Sequence, residues 1–133
     1  MILSDLVGKT ILLVDDDPEI RASVEAALEP LGAELLTADN GNTAVEFALD
    51  KSPDLVILDM MLPKRSGFLV LEKIKRGKSK GQKPLVVMIT ANTGQRHKAY
   101  ARTLGVDDYL QKPFHMERLV GVVTKLLGGE EQS

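Results

Sequence analysis

Apolar positions along the chain come in two kinds of run. The stretches Thr10-Ile-Leu-Leu-Val14, Leu55-Val-Ile-Leu58 and Pro84-Leu-Val-Val-Met-Ile89 are continuous, short and followed closely by polar residues. Such runs are too short for helices and suit strands buried on both faces of a parallel sheet. Between them apolar residues return every three or four positions, the period of a helix with one buried face. Ile20, Val24, Ala27, Leu28 and Leu31 make the first such face; Asp17 is its N-cap, Pro18 its first helical residue and Gly32 its stop.

The same alternation continues. Ala33 to Ala38 predicts a second strand, Asp39-Asn40-Gly41 a turn, and Thr43 to Lys51 a short helix with Ala44, Phe47 and Ala48 inward. After Gly67 a third helix carries Phe68, Leu71 and Ile74 on one face. Gln95 to Leu104 predicts a fourth, less apolar helix with Tyr100, Ala101 and Leu104 facing in, ended by Gly105. Val106 to Leu110 is the fifth strand, and Met116, Leu119, Val122, Val123 and Leu126 face inward on a last helix stopped by Gly128 and Gly129. Residues 1–8 read as a lead-in and 128–133 as a fraying tail, around one domain with its core at about 9–127. Strand and helix alternating five times predict an α/β fold, a doubly wound five-stranded parallel sheet.

Composition narrows the function classes. With 133 residues, 44% hydrophobic and 27% charged, the chain can bury a core and is not a disordered segment. A formal charge of −2 gives no electrostatic reason to expect direct nucleic-acid binding. The absence of cysteine excludes thiol catalysis and cysteine-based metal sites. No apolar run reaches membrane-span length and the start lacks a secretory pattern, so the cytoplasm is the expected compartment and no membrane contact is expected. The basic cluster from Lys73 to Lys83 reads as a solvated helix end and loop, and His97 and His115 as surface residues.

Chemistry gathers where the strands end. Asp15 and Asp16 follow the first strand, Asp59 the third, Thr90 the fourth and Lys112 the fifth, all at the carboxyl edge where open α/β sheets place their ligands. Three carboxylates together repel one another unless a cation intervenes, and hard oxygen ligands point to Mg2+, with Mn2+ the other choice. A lysine ammonium and a hydroxyl opposite that cation suit the non-bridging oxygens of a phosphoryl group. Asp59 can then act as nucleophile and become an aspartyl phosphate.

Val14-Asp-Asp-Asp-Pro18, Leu58-Asp-Met-Met-Leu-Pro63 with Gly67, Thr90-Ala91, and Asp107-Asp-Tyr-Leu-Gln-Lys-Pro-Phe114 together resemble the receiver domain of two-component response regulators, of the chemotaxis-receiver kind. The resemblance runs from about Lys9 to Leu127. It implies a flavodoxin-like strand order 2-1-3-4-5 and phosphorylation of Asp59 by a histidine kinase or phosphotransfer protein in a phosphorelay. It further implies Asp16 as a direct metal ligand, Asp15 as one acting mainly through water, and the Met61 carbonyl as another. Thr90 and Lys112 would contact the phosphoryl group, Tyr109 would be the switch aromatic coupled to Thr90, and the Lys112-Pro113 peptide would be cis. The responsive surface would comprise the fourth helix, fifth strand and last helix, acting on an effector protein or attached output domain, or forming a homodimer. On this reading the chain is a phosphoprotein that catalyses only its own phosphorylation and dephosphorylation. The side chains of Met61 and Asn92 would influence the lifetime of the phosphoryl group.

Two other classes fit parts of the pattern. Asp15-x-Asp17 resembles the nucleophile motif of magnesium-dependent haloacid-dehalogenase-type phosphatases, although Glu19 stands where that motif expects a small hydroxyl or aliphatic residue. A flavodoxin-like cofactor module needs a first loop that cradles phosphate, which Asp15 to Asp17 would repel.

Overall fold

The computed structural model describes residues 6–62, 64–91 and 95–128. Its elements alternate as β1 Thr10–Val14, α1 Pro18–Leu28, β2 Glu34–Ala38, α2 Gly41–Lys51, β3 Leu55–Asp59, α3 Gly67–Ile74, β4 Leu85–Thr90, α4 Gln95–Thr103, β5 Asp108–Gln111 and α5 Met116–Gly128. A 3-10 turn, Glu29–Leu31, follows α1. The α-helix gives way before Pro30, which has no N–H to continue it.

All paired strands are parallel, in the order β2-β1-β3-β4-β5. Every residue of β3 is buried, as the middle of a doubly covered sheet requires. Alternate side chains feed two cores. Leu12, Val14, Val56, Leu58, Val86 and Met88 pack against Ala44, Val45 and Ala48 of α2, Val70 and Leu71 of α3 and Ala101 of α4. Ile11, Leu13, Leu55, Ile57, Val87 and Ile89 meet Val24 and Leu28 of α1 and Leu119 and Val123 of α5. Strand order reverses between β1 and β3, so the cleft beyond their carboxyl ends is the topological switch point.

Some expectations are corrected. Leu6 is fully buried and its amide bonds to the Leu31 carbonyl at 3.0 Å, so part of the lead-in belongs to the core. Tyr100 is 49% exposed; of the expected inner residues of α4, only Ala101 is fully buried and Leu104 is half-buried. β5 starts two residues later than its apolar pattern suggested, because the Asp107 side chain bonds the backbone amides of Gly81 and Val86. The basic segment is not simply solvated: Lys75 is buried, with its ammonium 3.0 Å from Asp107. His97 is half-buried, its Nδ1 inside and without a hydrogen-bond partner among the described residues, its ring stacked on Phe68. His115 is exposed.

Candidate functional site

The buried β1 and β3 run side by side with Val14 opposite Leu58, so the residues after them, Asp15 and Asp59, emerge as neighbours. Both carboxylates are nearly covered, at 2% and 4% exposure, whereas Asp16 points to solvent. Each buried carboxylate folds its own loop by accepting an amide two residues on. Asp15 Oδ1 accepts from Asp17 N at 2.9 Å, and Asp59 Oδ1 from Met61 N at 3.1 Å. The second oxygens face one ammonium: Lys112 Nζ lies 3.5 Å from Asp15 Oδ2 and 3.6 Å from Asp59 Oδ2. One oxygen from each of Asp15, Asp16 and Asp59 falls within 4.8 Å of the others.

This is an excess of negative charge in a covered place. Burial pushes the Asp59 carboxyl up to about 6; the Met61 amide pulls it down, Asp15 raises it, Lys112 lowers it and Asp16 raises it again. One shared lysine does not balance three carboxylates. A hard divalent cation fits this donor set, because it supplies the missing charge and accepts carboxylate and carbonyl oxygens.

The remaining expected residues surround the same cleft. Thr90, at the end of β4, is fully buried; its hydroxyl donates to Met60 Sδ at 3.5 Å and its carbonyl accepts the Lys112 amide at 2.7 Å. That backbone bond ties the lysine's loop to β4. The Lys112-Pro113 peptide is cis, as is Lys83-Pro84, which the sequence did not mark. Tyr109 stands opposite Met88 and buries its hydroxyl near Thr90. Burial raises the phenol's pKa and the Thr90 side chain opposes the rise.

After Asp59 the chain must turn in little space. Gly67 N donates to the Met60 carbonyl at 2.8 Å, and a Cβ on Gly67 would sit 2.5 Å from the Asp59 carbonyl oxygen. Only glycine permits that approach. Met61 lines the cleft with Asp15, Asp16, Asp17, Pro18, Asp59, Ala91 and Lys112, yet its side chain is 67% exposed. Asn92 and Pro63 lie outside the described residues. Asp17 serves as the α1 cap, its Oδ1 accepting from Glu19 N at 2.9 Å.

Two supports were not seen in the sequence. Arg21 Nη1 donates to the Asp15 carbonyl at 2.8 Å, holding the first acidic loop against α1. Its signal was only a charged residue within the first turns of a helix, which is commonplace. The Lys75–Asp107 pair joins residues distant in sequence and carries no local signature.

The fold, the strand order and this acidic cleft define a receiver. Residues 11–124 match the response regulator receiver domain family, and the chain belongs to it. Among curated relatives, the phosphate regulon transcriptional regulatory protein PhoB of Pseudomonas aeruginosa is 39% identical over 92% of this chain and 53% of its own length. Protein PilG of the same organism is 32% identical over 87% of this chain and 85% of its own length. The chain therefore spans about half the length of relatives such as PhoB, and most of PilG. A solved structure similar to this one is the receiver domain of a sensor histidine kinase from Pseudomonas aeruginosa, with a magnesium ion coordinated in its active-site cleft. It superimposes with a TM-score of 0.78 at 30% identity, covering 92% of this chain and 99% of that one. The chain is thus a receiver domain of the two-component kind.

Proposed function

We propose that the chain is a single receiver, its core about 9–127 with Leu6 packed into it, that takes a phosphoryl group onto Asp59 from a histidine kinase or phosphotransfer protein and thereby changes its α4-β5-α5 surface. The observation that carries this is the Asp59 carboxylate itself: covered, crowded by Asp15 and Asp16, and facing a lysine shared with Asp15. In the transfer, an Asp59 oxygen forms the new bond to phosphorus as the donor's P–N bond breaks, and the donor imidazole keeps the electron pair and takes up a proton. Lys112 and Thr90 receive non-bridging oxygens of the phosphoryl group. Asp16 directly, Asp15 mainly through water, Asp59 and the Met61 carbonyl would hold Mg2+ or Mn2+, which when bound supplies positive charge to the developing oxyanions.

Downstream, Thr90 moving onto the phosphoryl group would draw on the space beside Tyr109, whose hydroxyl is already buried next to it. The responsive face then acts on an effector protein or an attached output domain, or pairs with a second copy. The protein catalyses only its own phosphorylation and dephosphorylation, in the cytoplasm. A phosphatase built on Asp15 and Asp17 is not favoured, since Asp17 is committed to capping α1. Labelling with a small phosphodonor and Mg2+ followed by peptide mapping tests the assignment: the label is expected on Asp59, and label on Asp15 would overturn it.

A further inference from the structure

Between α4, β5 and α5 lies a second concavity, of about 410 Å3, lined by Lys80, Lys98, Arg102, Asp108, Tyr109 and Arg118 among others. Its four cations come from three parts of the chain. Lys98 and Arg102 sit one turn apart on α4, Arg118 faces them from α5, and Lys80 reaches in from the loop before β4. Among the described residues none of the four is in an ion pair. Asp107 also borders the cleft, but its charge is already satisfied by Lys75 at 3.0 Å and by the amides of Gly81 and Val86 at 2.6 and 2.7 Å. That leaves Asp108, whose Oδ1 accepts its neighbour Tyr109's amide at 2.8 Å. Four positive charges thus converge on one concave surface opposite one carboxylate.

We propose that this cleft is a binding site for a polyphosphate group, such as the diphosphate of a small metabolite. A single carboxylate would leave most of the mutual repulsion of Lys80, Lys98, Arg102 and Arg118 in place, whereas a multiply charged phosphate relieves it and accepts charge-assisted bonds from both arginines. The volume falls within the usual range for small-molecule sites, roughly 300–1,000 Å3. Beside Val106 and Tyr109 the wall consists of charged side chains, so recognition rests on the phosphates and not on the organic part. Tyr109 forms part of the wall, so an anion bridging α4 and α5 would bias the same β5 element that Asp59 phosphorylation is proposed to move, and would compete with a second copy for this face. The site does not depend on Asp59 being the phosphoryl acceptor.

The experiment is a titration of isotope-labelled protein with inorganic pyrophosphate, in EDTA at low salt, followed by NMR. Saturable shifts are expected at Lys98, Arg102, Asp108 and Arg118, unchanged in Asp59→Asn and weakening as salt rises. Arg102→Gln and Arg118→Gln should each weaken binding at least about fivefold, the scale of one lost charge-assisted bond, while Glu117→Gln should not weaken it. Shifts centred on Asp15 and Asp59, non-saturating shifts, or wild-type affinity in both arginine variants would overturn the proposal. So would signals at these residues that respond to protein concentration and not to pyrophosphate, which would assign the cations to a second copy.

Discussion

Asp107 and Asp59 are both carboxylates at the border of the same sheet, one before β5 and one at the end of β3, and both are nearly covered at 7% and 4% exposure. Their surroundings are opposite. Around Asp107 the charges are closed: Lys75 sits 3.0 Å away, its ammonium also donates to the Ser79 and Gln82 carbonyls at 3.2 and 2.6 Å, and Asp107 accepts two backbone amides. Around Asp59 they are left open. Two backbone amides, one on Asp15 and one on Asp59, and a single shared lysine face three carboxylates, and the Asp59 carboxyl rises to about 6. A buried ion pair with every partner in place holds a loop still, whereas uncompensated negative charge in a cleft is what a bound cation can relieve.

The contrast can be broken most severely at the closed cluster. Lys75→Met should destabilise the fold by about 3–5 kcal/mol, because it strands the Asp107 charge among amides without its cation. Denaturant unfolding measures this, and a loss under about 1 kcal/mol would mean that water reaches the pair. At the open cluster the sign reverses. Folding raises the Asp59 pKa from 3.8 to about 6. The metal-free wild type therefore loses stability as pH climbs through that window, whereas Asp59→Asn does not. At pH 7 in EDTA the variant should be the more stable by about 1–2 kcal/mol, which is the 1.36 kcal/mol per pKa unit discounted for solvent screening. The difference should vanish below about pH 4, and Mg2+ should stabilise the wild type far more than the variant. Unfolding curves across pH that show the variant less stable at neutrality would contradict the open-cluster description.

A smaller effect sharpens the geometry. Gly67→Ala must push a methyl against the Asp59 carbonyl and Met60, costing about 1–3 kcal/mol as overpacking does. Its phosphodonor labelling should slow as well, because the backbone carrying Asp59 has to shift. Thermal unfolding and a labelling time course read the two together; lost stability with unchanged labelling would uncouple Gly67 from the site.

The architecture was legible because three strands are buried on both faces and so write themselves as continuous apolar runs. The meeting of Asp15, Asp16, Asp59, Thr90 and Lys112 was legible because each lies at or just beyond the carboxyl end of a strand, and parallel order brings strand ends together whatever their distance in sequence. What could not be read depends on partners far along the chain. Lys75 looks like any lysine in a basic stretch until Asp107 and the Ser79 and Gln82 carbonyls surround it. Tyr100 looked like an inner residue by spacing, but α4 docks through Ala101 and leaves the ring half exposed in a T-shaped contact with Phe68, centroids 5.1 Å apart. Leu6 gave no period because a single side chain is enough to fill its place in the core.

We propose that Asp59 is the acceptor and that its acidic neighbours serve it through a divalent cation. The most direct measurement is intact-protein mass spectrometry after incubation with acetyl phosphate, with and without Mg2+, on wild type and Asp59→Ala. One phosphoryl group that requires Mg2+, is released by hydroxylamine and is absent from Asp59→Ala is the predicted result. Equal labelling of Asp59→Ala, or labelling that proceeds unchanged in EDTA, would contradict it.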